Sequence, residues 1–136
     1  MKKIFGLWGA ENRGKTTTLN ILVDLLSLAS DSYSVQRFYE IRACFEINET
    51  KIGVCTPGDS QTEIKENIKF FNENECEIIV TATRTKGGSV DEIEFFKNEH
   101  NAELVWIEKE DNPDLNKLAA ADIFRRIIDE VYLRKK

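Results

Sequence analysis

Gly9-Ala10-Glu11-Asn12-Arg13-Gly14-Lys15-Thr16 has the spacing GxxxxGK[ST], in which each fixed position has its own chemistry. The glycines let successive backbone N–H groups turn inward around an oxyanion. Lys15 is long enough to reach terminal phosphates, and the Thr16 hydroxyl is a ligand for Mg²⁺. Arg13 adds a second positive charge at the same place. The plainer alternative is a tight strand-to-helix turn with no ligand.

Phosphate chemistry requires this loop to be aimed, and the flanking residues predict how. Lys3–Trp8 is a short apolar run of the kind expected for a buried central strand of a parallel sheet. After the loop, Leu19, Ile21, Leu22, Val23, Leu25, Leu26, Leu28 and Ala29 recur at helical spacings, which predicts a helix buried around most of its circumference. Its amino end would face the loop, where the helix dipole and unpaired amides favour an anion. Ser60-Gln61-Thr62-Glu63 and Ser89-Val90-Asp91-Glu92 read as capping boxes, and Asn112-Pro113 as an N-cap followed by a helix-starting proline. The first helix begins Gly14-Lys15 instead, so a bound anion is the expected partner for its amides.

The remaining elements narrow the fold. From Tyr33 to Ile47 the residues alternate, with Tyr33, Val35, Arg37, Tyr39, Ile41, Ala43, Phe45 and Ile47 on one side, which predicts a strand with one wet face. Asn48-Glu49-Thr50 then turns the chain into Lys51–Cys55, forming an antiparallel hairpin that ends in the loop Thr56-Pro57-Gly58-Asp59. A helix marked by Ile64, Ile68 and Phe71 precedes the strand Glu77–Thr81, and one marked by Val90, Ile93 and Phe96 precedes Leu104–Ile107. A last helix, Pro113–Arg134, would turn Leu115, Leu118, Ala119, Ile123, Ile127 and Val131 to the core. The order β-α-β-β-α-β-α-β-α predicts an α/β fold: a three-layer sandwich whose mostly parallel sheet has one antiparallel hairpin strand and helices on both faces. Ligand loops should gather at the carboxyl ends of the parallel strands, where residues 9–16, 56–59 and 83–89 fall.

A chain of 136 residues suits one domain over residues 1–136. Residues 59–111 hold fourteen acidic against six basic side chains, which argues against a nucleic-acid surface. No apolar stretch approaches a membrane span, so no membrane partner is expected. Cys44, Cys55 and Cys76, odd in number and set among apolar residues, suit reduced core thiols in the cytoplasm.

With these residues in view, the chain resembles a minimal member of the P-loop nucleoside triphosphate hydrolase superfamily along essentially its whole length. The resemblance implies that Gly9–Gly14 wrap the β-phosphate, Lys15 bridges the terminal phosphates, Thr16 binds Mg²⁺ and Thr17 touches the α-phosphate. The hairpin and the Cys55-Thr56-Pro57-Gly58 turn resemble small GTPases, whose turn reads D-x-x-G; the acidic position is Cys55 here. Their guanine-reading N-K-x-D is replaced by Thr83-Arg84-Thr85-Lys86, so ATP is the expected nucleotide. Gly14-Lys15-Thr16-Thr17-Thr18 resembles partition-type ATPases, but their extra lysine is Ala10 in this chain.

P-loop enzymes usually end a buried strand in Asp or Glu to orient the metal shell, and Ile78–Thr83 offers none. Asp59 is the first substitute, followed by Glu40 and Glu11; its other role is a turn residue beside a helix dipole. Arg84 could stack on a base or neutralise a transferring phosphate, or belong to a solvated connection. Cys55 is weighed as a redox-sensitive thiol against a quiet core cysteine, and His100 suits a helix end. Two functions follow. One is a Mg-ATP-dependent NTPase or small kinase using Lys15, Arg84, Thr16 and Asp59. The other is a regulatory or assembly module that binds nucleotide with little turnover, and a divergent small GTPase-like protein stands behind both.

Overall fold

The computed structural model describes residues 2–9, 14–38, 40–58, 60–84, 87–109 and 112–133. Among them the chain forms β1 (Lys3–Trp8), α1 (Lys15–Ala29), β2 (Ser32–Phe38), β3 (Glu40–Ile47), β4 (Thr50–Cys55), α2 (Gln61–Glu73), β5 (Ile78–Thr83), α3 (Gly88–His100), β6 (Glu103–Glu108) and α4 (Pro113–Leu133). The strands make one mixed sheet in the order β2-β3-β4-β5-β1-β6. β4, β5, β1 and β6 run parallel, and β3 is antiparallel to both its neighbours.

The period of two divides each buried strand between two cores. Phe5 and Leu7 of β1, with Ile78 and Val80 of β5, pack against Leu22 and Leu26 of α1 and Ile123 and Ile127 of α4. Ile4 and Ile79 turn the other way, to Ile64 and Phe71 of α2 and Ile93 and Phe96 of α3. The sheet therefore has helices on both faces, as expected. Among the described residues, no helix is long and apolar enough to cross a membrane.

Three local expectations are corrected. The alternating stretch 33–47 is two strands, not one. β2 and β3 pair with Tyr33 opposite Phe45, Val35 opposite Ala43 and Arg37 opposite Ile41. Odd residues face odd residues, so the alternation passes through the reversal unchanged and conceals it. α1 is buried on one side only, through Lys15, Thr18, Leu19, Leu22, Val23 and Leu26, and Leu28 is 87% exposed. On α4 the buried stripe is Asn116, Ala120, Ile123, Ile127 and Val131. Leu115 and Leu118 lie off that stripe, and Leu118 is 66% exposed.

Ile123→Ala is expected to cost about 2–5 kcal/mol through the lost burial and the cavity left behind. Leu118→Ala should stay within about 0.5 kcal/mol. Urea denaturation of both variants checks the position of the stripe.

Candidate functional site

The parallel strands deliver four connections to one edge of the sheet: Gly9 after β1, Thr56–Gly58 after β4, Arg84 after β5 and Lys109 after β6. Lys15, the first residue of α1, turns its side chain back across that edge. Its Nζ donates to the carbonyl oxygens of Gly9 at 2.8 Å and Thr83 at 2.7 Å. The residue is only 7% exposed. A buried ammonium is tolerated when hydrogen-bonded, and these bonds lock it at the junction of β1 and β5.

Behind it, α1 starts on Gly14 at φ 78° and ψ 14°, with no side-chain cap and no acidic residue in its first turn. This left-handed conformation suits glycine. A Cβ at that position would also stand 2.5 Å from Asn116 Oδ1. Thr16 and Thr17 are exposed, while Thr18 is buried and donates its hydroxyl to Asn116 Oδ1 at 3.3 Å. Ala10, Glu11, Asn12 and Arg13 lie outside the described residues, as do Asp59, Thr85 and Lys86.

Two buried asparagines, unnoticed in the sequence, hold the connections in place. Asn116 abuts Gly14 and accepts from Thr18. Asn67 of α2 donates Nδ2 to the Pro57 carbonyl at 2.7 Å and accepts from Arg42 Nε at 3.0 Å. Each sits on an apolar stripe, Asn67 between Ile64 and Phe71, and Asn116 four residues before Ala120. A polar side chain at a stripe position was the available signal, because burial there demands a hydrogen-bond partner.

Glu40 belongs to the same turn. Its carboxylate accepts from the Thr56 hydroxyl, whose oxygen accepts from the Ile41 N–H at 2.8 Å. Gly58 follows so close to β5 that a Cβ would stand 2.1 Å from the Ala82 carbonyl oxygen. β5 separates β4 from β1, yet this contact brings the Thr56–Gly58 turn against the strand whose next carbonyl, Thr83, holds Lys15. Among the described residues no group of three His, Cys, Asp or Glu side chains could hold a metal ion.

Arg84 is half-buried one residue beyond Thr83. Its N–H donates to Ser89 Oγ at 3.1 Å, and its carbonyl accepts from the Thr83 hydroxyl at 3.0 Å. Ser89 is therefore not the cap that its sequence suggested. α3 starts at Gly88, after Gly87 at φ 95°, with no side-chain cap. The other two caps form as expected: Ser60 Oγ accepts from the Glu63 N–H at 3.1 Å, and Asn112 Oδ1 from Asp114 and Leu115. The missing cap at α1 is thus shared with α3, and both helices begin at this edge of the sheet.

Beside the β1 end, the Lys109 N–H donates to the Trp8 carbonyl at 3.0 Å. There an open trough of about 390 Å³ is lined by Glu108, Lys109, Leu115, Leu118 and Ala119. The two leucines that leave the core stripe supply its apolar wall. Cys55 is fully buried, and burial pushes its thiol well above the ordinary value, which makes it a quiet core cysteine. His100 ends α3 with its ring 4.4 Å from that of Phe96, as a helix-end histidine would.

Gly14→Ala is expected to destabilise the fold by about 1–3 kcal/mol, since it combines a disfavoured φ with a clash against Asn116. Urea denaturation checks this, and a variant as stable as the parent would contradict the tight start of α1. No protein-family model, curated protein or solved structure matches the chain.

Proposed function

We propose that Gly9–Thr17 bind the polyphosphate of a nucleoside triphosphate, with ATP the preferred nucleotide, and that the protein is a Mg²⁺-dependent NTPase or phosphotransfer enzyme. One observation carries this reading: the Lys15 ammonium is held where β1 and β5 end, in front of a helix start that has no side-chain cap. A cation beside the amino end of a helix suits phosphate oxygens, because charge and hydrogen-bond donors converge on the same point.

The donor set also suits the metal. Mg²⁺ keeps several waters and takes most of its remaining ligands from phosphate, so the exposed Thr16 hydroxyl with one carboxylate, Asp59 in this reading, would be enough. Bound there, Mg²⁺ would neutralise charge on the terminal phosphates. Lys15 would orient those phosphates, and Arg84, next to Thr83, would stabilise charge as a phosphoryl group leaves. The apolar wall of Leu115, Leu118 and Ala119 would lie against the base.

The second reading is a nucleotide-binding regulatory or assembly module with little turnover. It is favoured by β5 ending Thr81-Ala82-Thr83 without a carboxylate.

Lys15→Gln should weaken Mg-ATP binding about 10- to 100-fold, the equivalent of one charge-assisted contact. Calorimetry measures this, with the unfolding midpoint as a check on folding; unchanged affinity in a folded variant would refute the site. Arg84→Ala should lower phosphate release more than affinity if the arginine acts on the transition state. ATP binding by the parent without phosphate release would favour the module.

A further inference from the structure

Away from the carboxyl edge, on the α2/α3 face, two of the three cysteines meet. Cys44 of β3 and Cys76, which precedes β5, place their sulfurs 4.0 Å apart. The pair is 32 residues apart in sequence, so neither spacing nor periodicity announces it. Cys44 lies directly opposite Gly53 on the β3–β4 ladder. A Cβ on Gly53 would stand 2.8 Å from Cys76 Sγ and 2.5 Å from Phe71 Cδ1. The missing side chain at 53 is therefore what leaves room for the Cys76 sulfur to reach Cys44.

We propose that Cys44 and Cys76 form a reversible intramolecular disulfide when the protein meets a hydroperoxide such as hydrogen peroxide. The backbone around Cys76 is fixed. Its N–H donates to the Phe71 carbonyl at 3.0 Å, its carbonyl accepts from Lys2 Nζ at 2.6 Å, and the next residue, Glu77, donates to the Lys51 carbonyl at 2.8 Å. With that backbone held, the two sulfurs have about 2 Å left to close to reach bonding distance.

The two thiols have different roles. Cys44 is half-buried and open to a small oxidant, whereas Cys76 is fully buried. The contact with Cys76, helped by Lys51 and opposed by burial and Glu46, lowers the Cys44 thiol, while the contact with Cys44 and burial raise the Cys76 thiol. Because Cys44 is the sulfur an oxidant can reach, it is the attacking thiolate and Cys76 the resolving thiol. In the first step the Cys44 thiolate takes an OH group from hydrogen peroxide; the O–O bond breaks and hydroxide leaves, becoming water with the proton that the Cys44 thiol had released, and the sulfenic acid remains. In the second step the Cys76 sulfur attacks the Cys44 sulfur. The S–S bond forms, the S–O bond breaks, and the hydroxide leaves with the Cys76 proton as a second water. Two thiols lose two electrons to one peroxide, and a dithiol reductant reverses the change.

The test treats the whole chain with hydrogen peroxide, alkylates it under denaturing conditions and maps the peptides by mass spectrometry. The expected result is a Cys44–Cys76 cross-linked peptide within one chain, with loss of alkylation at both sites, Cys55 still alkylated, and full recovery after dithiothreitol. Cys76→Ser should leave a Cys44 sulfenic acid that dimedone captures, and Cys55→Ser should change nothing. Full alkylation of Cys44 and Cys76 after peroxide, a cross-link through Cys55, or bonds only between chains would each overturn the proposal. The parent protein alone yields these outcomes, so a variant that fails to fold does not remove the test.

Discussion

The carboxyl edge of the sheet depends on where one ammonium sits. Lys15 starts α1, yet its nitrogen is bonded to carbonyls at the ends of two neighbouring strands, β1 and β5. Burial makes those bonds obligatory, because a cation taken out of water without partners costs several kcal/mol. The same requirement fixes the direction in which α1 leaves the sheet and brings its uncapped amino end to the strand termini. Under the proposed function, entering phosphate would offer charged oxygens where Lys15 now has neutral ones, and charge-assisted bonds are the stronger kind.

The connections around that lysine are secured from the two helical layers by the same device. α4 reaches Gly14 and Thr18 through Asn116, and α2 reaches Pro57 through Asn67. Each asparagine occupies a position that an apolar residue would otherwise fill. Each replaces hydrophobic contact with directed hydrogen bonds to a loop or a helix start. The outer helices are thereby joined to the connections at this edge by hydrogen bonds as well as by packing.

Much of the architecture was legible in the residues. Continuous apolar runs marked β1 and β5 because both faces are covered, and Ser60 and Asn112 marked helix starts because their side chains meet backbone donors locally. The failures turned on which neighbour each residue meets once the chain is folded. Ser89 has the capping spacing, but its hydroxyl is taken by Arg84. Leu115 and Leu118 are apolar, but the stripe facing α1 and the sheet is set by Asn116, Ala120 and Ile123. In the candidate site, Lys15 could be picked out from its motif. Its bond to Thr83, the contact of Gly58 with Ala82 and the meeting of Cys44 with Cys76 all arise only once strands are placed side by side.

The pairing of β2 with β3 restricts how this hairpin can change length. Its register matches odd residues with odd residues, which keeps Val35 on the α1/α4 side beside Ala43 and Phe45. A residue added in the connection, with these pairs kept, would leave every side chain facing as it does, whereas a slip of the ladder by one residue would turn every β2 side chain to the opposite surface and take Val35 out of that layer. A slip of two residues would keep the orientation. The hairpin can therefore lengthen in its connection, but its pairing cannot move by an odd step.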